Sequence, residues 1–166
     1  MKKTKKIALC GVMCALAFAF SYIEFLIPFD MTGIPGIKPG FANLVIMAAL
    51  YMLGLPYAAF ISLLRIVLSW LVFGNITSFL YSLAGGCLSL LLMFLLKKFK
   101  VFDEIGVSVS GAVVHNAAQL AVAAAIMRSG AIFYYLPVLL VAGVVFGVIN
   151  GLLLKLVIKR TEKLFL

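Results

Sequence analysis

An arginine at the centre of an apolar run is costly to bury unless it faces a partner, a cavity or a ligand. Arg65 stands near the middle of "PYAAFISLLRIVLSWLVF", with Ser62 and Ser69 on the same helical face. Holding an oxyanion is the chemistry that suits such a guanidinium, and Arg65 is a candidate for it; a structural ion pair with Glu24 is the alternative. A second candidate lies in "GIPGIKPGFAN". Pro39 suits the first turn of a helix, so Gly40, Phe41 and their successors would present N–H groups at the positive end of the dipole, with Lys38 beside them. That arrangement receives a carboxylate or phosphate well, although a solvated lysine on an outer loop is the plainer account.

Further along, "HNAAQ" sets His115 and Gln119 one helical turn apart with Asn116 between them, while Asn43, Asn75, Tyr81 and Ser82 add polar groups. Singly, such residues are commonly glue between membrane helices. Together with the cations they describe a site for a small anionic molecule, with hydrogen bonds from Asn43, His115, Asn116 and Gln119, and with Trp70 and Tyr81 placed to stack on a ring. Glu24 is the one acid expected at depth, which speaks against a proton or sodium pump.

What must position these residues is a bundle in lipid. The chain has 166 residues, 66% hydrophobic and 11% charged, with a mean hydropathy of +1.25, far from the balance of a water-soluble domain. Backbone groups unpaired in lipid are intolerable, so the long apolar runs must be helices. Six are expected, over Ile7–Pro28, Phe41–Leu53, Pro56–Phe73, Ile76–Leu96, Ile105–Arg128 and Ile132–Ile158, forming an all-α polytopic domain over residues 1–166 with basic ends at 1–6 and 159–166. "MKKTKK" with its apolar run resembles a signal peptide, but the run is long and lacks a small-residue cleavage site, so it reads as an uncleaved first span. The second helix covers only about 20 Å of the ~30 Å hydrocarbon. Irregular backbone before it must therefore dip inward, which requires a protein-lined or water-filled pocket.

Of the 14 Lys and Arg residues, all but Lys38, Arg65 and Arg128 fall at the two termini or between the fourth and fifth helices. Both termini are then expected in the cytoplasm, in a bacterial-type cytoplasmic membrane, with the pocket opening outward. The net charge of +9 reflects that topology and affinity for anionic lipid, and implies no nucleic-acid partner. Gly11, Ala15 and Ala19 form a small-residue stripe suited to the protein's own packing or to a partner subunit, and Leu83–Gly86 suits a close crossing inside the bundle. Cys10, Cys14 and Cys87 lie within apolar runs as small core residues. No catalytic constellation, metal-ligand cluster or cofactor motif is present, and without GxxxxGK[ST] any ATP hydrolysis belongs to another chain.

"GIPGIKPGFANLVIMAALYMLG", "RIVLSWLVFG", "FLYSLAGGCLSLLLM" and "VVHNAAQL" together resemble the Gx transporter family, also catalogued as heptaprenyl diphosphate synthase component I. That family is similar in length and plan to the substrate-binding S-components of energy-coupling factor transporters. The resemblance implies a six-helix subunit capturing a vitamin, cofactor or isoprenoid-related precursor, with a loop after the first helix over the pocket. Its implied partners are a transmembrane coupling protein, met by stripes such as Gly11, Ala15 and Ala19, and two ATPases. It also marks Lys38, Asn43, Arg65, His115 and Asn116 as motif positions. Prenyl synthases hold magnesium diphosphate with paired aspartate-rich motifs, and the five acidic residues here do not make them, so this chain is not expected to be an enzyme by itself. An accessory subunit of prenyl diphosphate synthesis and a self-sufficient secondary transporter remain the other classes.

Overall fold

The computed structural model describes residues 3–27 and 39–165, with side chains as far as Thr161. Among the described residues six α-helices follow one another: α1 Lys3–Leu26, α2 Phe41–Met52, α3 Leu55–Val72, α4 Ile76–Lys98, α5 Glu104–Met127 and α6 Leu136–Phe165. All but α2 belong to segments long and apolar enough to cross a membrane, and much of their apolar surface faces outward, as in a bundle solvated by lipid. The breaks fall where the chemistry of the chain ends a helix. Gly54 takes a positive φ before Pro56 in the first turn of α3. Asn75 Oδ1 caps α4 by accepting from Ser78 N–H at 2.8 Å, and Asp103 Oδ1 caps α5 by accepting from Gly106 N–H at 2.9 Å. The last helix begins later than its apolar run suggests. Gly130–Tyr135 winds as a 3-10 helix, and the α-helix starts at Leu136 because Pro137 has no N–H with which to extend an α pattern backwards.

Packing follows small residues. α5 and α6 lie side by side along Gly143, Gly147 and Gly151, one per turn. A Cβ on Gly147 would lie 2.7 Å from the Val109 backbone, and one on Gly151 2.7 Å from that of Ile105. In lipid, where apolar burial drives helix association weakly, such close backbone contact is the main source of attraction. Gly85 and Gly86 do the same for α4, the first against His115 and Gln119 of α5 and the second against Ile66 and Ser62 of α3. The expected crossing at Leu83–Gly86 is therefore present. Gly11, Ala15 and Ala19, by contrast, are exposed, and nothing lies within 4 Å of a Cβ built on Gly11, so this stripe takes no part in the described packing. Cys10 is buried as expected, but Cys87 is exposed because its face of α4 turns away from both neighbours.

The short α2 sits in the middle, touching α1, α3, α4 and α6. Apolar nearly all round, it buries Ala42 and every residue from Val45 to Leu50, as a core helix must. Its two ends meet opposite charges. Phe41 N–H donates to Glu24 Oε1 at 2.5 Å, and Lys97 Nζ donates to Leu50 O at 2.8 Å with its ammonium 4.6 Å from the centre of the Tyr51 ring. A carboxylate at the positive end and an ammonium at the negative end satisfy groups that water reaches poorly here. Lys97 thus does more than contribute to the basic clusters at the helix ends. Lys97→Met should lower stability by about 1 kcal/mol, since it removes a charge-assisted hydrogen bond while keeping the apolar stem. A thermal melt in detergent checks this, and an unchanged midpoint would remove Lys97 from the account of α2.

Candidate functional site

Between the middle of the bundle and the end where α1 stops and α2 begins, five of the other helices and the start of α2 enclose a cavity of about 100 Å³. Its wall is polar to a degree unusual for a membrane interior. α1 contributes Ser21 and Glu24, α3 contributes Arg65 and Ser69, and α5 contributes His115, Asn116 and Gln119. Gly40 and Asn43 close it from the α2 side, Trp70 from α3, and Asn150 from α6.

Arg65 is the charged centre. It is 9% exposed, and Nη1 donates to Ser21 Oγ at 3.3 Å. The Ser21 hydroxyl donates in turn to Ala17 O at 2.9 Å, which leaves its lone pairs for the arginine. Nε and Nη2 have no hydrogen-bond partner among the described residues. Glu24 lies near enough for its charge to act on the guanidinium, yet Oε1 is committed to Phe41 N–H. The first amide of α2, expected to receive a ligand's anionic group, is thus occupied by the chain's own carboxylate. The reason is tertiary: the last turn of α1 runs alongside the start of α2.

The amide and imidazole groups divide by role. Gln119 Nε2 lies 3.0 Å from His115 Nε2, and Ser89 Oγ lies 3.5 Å from Nδ1. His115 is thereby tied both to Gln119 on its own helix and to Ser89 of α4, its donor and acceptor roles set by its tautomer. Asn116 Nδ2 donates to Leu139 O at 2.9 Å, so this residue binds α5 to α6 while also facing the cavity. Trp70 packs on Phe79 with ring centres 5.1 Å apart, both at the cavity wall. Tyr81 is half-buried on α4 and is not part of that wall. Asn75 caps α4 and is not itself part of the wall, although Gly74 and Ser78 are, and Lys38 lies outside the described residues.

One residue that sequence reasoning missed is central to the geometry. Asn150 Nδ2 donates to Pro39 O at 2.9 Å and to Gly40 O at 3.4 Å, fixing the backbone that leads into α2. Gly40 adopts a left-handed φ of 74° there, and a Cβ on it would approach Asn150 and Asn43. Because both neighbours of Nδ2 are carbonyls, the amide cannot be turned over, and Oδ1 is left buried without a partner. An asparagine inside the apolar run of α6 was the available signal, on the same ground that singled out Arg65.

These features define a polytopic helical membrane protein with a polar cavity, walled by Arg65 and Glu24 among others, inside its bundle. The chain belongs to the family described as heptaprenyl diphosphate synthase component I, whose model matches residues 13–157. Comparison with curated proteins and with solved structures returns no match.

Proposed function

We propose that this protein is a substrate-binding membrane subunit that captures a small anionic metabolite and works with a separate coupling protein and ATPase module, in the manner of an energy-coupling factor S-component. The observation that carries the reading is the Arg65 guanidinium, nine-tenths buried at a cavity with two of its nitrogens unpartnered. Buried charge is retained in membranes chiefly where it acts on a ligand or ion path. The distribution of basic residues supports cytoplasmic termini, and hence a cavity in the outer half of the membrane. The exposed Gly11, Ala15 and Ala19 face supports a place for the coupling protein. Anion recognition is assigned to Arg65, with Asn43, His115, Asn116 and Gln119 orienting the bound molecule. The α2 N-terminus acts through Glu24 rather than directly.

Native mass spectrometry of the protein taken from its own membrane tests this. A retained small anion and a co-purifying ATPase are expected, and Arg65→Ala should reduce the retained fraction by about tenfold or more, the loss of one charge-assisted hydrogen bond at least. An Arg65→Ala protein that folds and keeps the same anion at wild-type occupancy would overturn the assignment.

The family description favours a second reading, an accessory subunit of prenyl diphosphate synthesis. Under it the cavity would receive a phosphorylated group and the chain would act on a soluble synthase. Co-expression with such a synthase, with and without this chain, separates the two by whether product formation changes.

A further inference from the structure

The unpartnered atoms in the cavity specify more than an anion. In a guanidinium, Nε–H and the Nη2–H beside it form one edge, with two parallel donors spaced to match two oxygens of a carboxylate or phosphate. Those are the two nitrogens of Arg65 left without partners, while Nη1 is held by Ser21, whose own proton is fixed on Ala17 O. The guanidinium is therefore held at Nη1, with its bidentate edge buried and unpaired. Across the same cavity, Asn150 Oδ1 is an acceptor only, buried and unpartnered, with its amide locked by Pro39 O and Gly40 O. Ser69 Oγ is likewise buried and unpartnered. A simple anion satisfies the first of these and leaves the second bare, and a buried unpaired acceptor is unfavourable. The volume of about 100 Å³ admits a molecule of only a few heavy atoms beyond its anionic group, far below a drug-sized site of roughly 300–1,000 Å³.

We propose, building on the capture reading, that the cavity takes a small oxyanion carrying its own hydrogen-bond donor. Its carboxylate or phosphate lies on the Nε–Nη2 edge of Arg65, and its amine or hydroxyl turns to Asn150 Oδ1. A long apolar tail has no room beside it.

Two matched probe pairs test this on the full-length protein in detergent, read by the thermal midpoint: propionate against β-alanine, and ethyl phosphate against phosphoethanolamine. In at least one pair the donor-bearing member should half-saturate the shift at a concentration at least fivefold lower than its partner. Arg65→Lys keeps the charge but loses the fork, and should weaken that response at least tenfold; Arg65→Gln replaces it if the lysine variant does not fold. Equal responses within both pairs, or an undiminished response in the Arg65 variant, would overturn the inference. So would the absence of any response to all four probes. The capture reading is judged separately: a small molecule retained from the native membrane with no probe response leaves capture standing and this inference refuted.

Discussion

Gly147→Ala is expected to destabilise the bundle by about 2 kcal/mol, lowering the thermal midpoint by about 4–8 °C. The added methyl carbon would sit 2.7 Å from Val109 Cα, in backbone that has no rotamer through which to retreat. α5 and α6 must then move apart by about 1 Å to restore van der Waals distance near 3.7 Å, weakening dispersion along their whole seam. Better helix propensity returns at most about 1 kcal/mol of that. Gly151→Ala, against Ile105 Cα at the same distance, should behave alike, and the double variant should lose less than the sum because the first separation makes room for the second methyl. Gly11→Ala is the control: nothing lies within 4 Å, so stability should hold or rise slightly. Equal behaviour of Gly147→Ala and Gly11→Ala in a detergent melt would show that the α5–α6 seam is not held by close backbone contact.

The same comparison shows what the sequence disclosed and what it kept. Helix positions were legible because apolar runs in lipid have one admissible conformation, and because Pro56, Asn75 and Asp103 act through local chemistry that three or four residues define. Arg65, His115, Asn116, Gln119 and Asn43 were legible as a group because polar residues at membrane depth must turn inward, and the cavity brings them together. Leu83–Gly86 was legible as a close crossing, whereas Gly11, Ala15 and Ala19 face outward and the glycines of α6, which carry the same spacing, form the α5–α6 seam. Spacing alone does not say which side of a helix meets a neighbour. Tyr81 fell outside the cavity wall for that reason, and Asn150 escaped notice because its partners, the carbonyls of Pro39 and Gly40, are more than a hundred residues away. Lys97 read as one more basic residue at a helix end, since nothing local reveals the end of α2 beside it.

Removing the Glu24 carboxylate should have the largest effect of any single change described. Glu24→Ala strips the acceptor from Phe41 N–H at the start of a helix that lies within the bundle, and withdraws the negative charge near a guanidinium that is only 9% exposed. An unmet amide and an uncompensated buried cation each cost kcal/mol, and together they suggest a loss of about 3 kcal/mol, or a midpoint lower by about 6–12 °C. Glu24→Gln divides the two contributions, because its amide oxygen can still accept from Phe41 N–H while the charge is gone; it should lose roughly half as much. The charge contribution has a further signature. If Glu24 stabilises the fold partly by balancing Arg65, then Arg65→Gln should restore part of the stability lost in Glu24→Ala, giving a coupling of about 1 kcal/mol or more in a double-mutant cycle. Strict additivity would show that Glu24 does not act through Arg65. The arginine would then be balanced by whatever occupies the cavity, and the stability of the purified protein should rise on binding an oxyanion by an amount that Arg65→Gln abolishes.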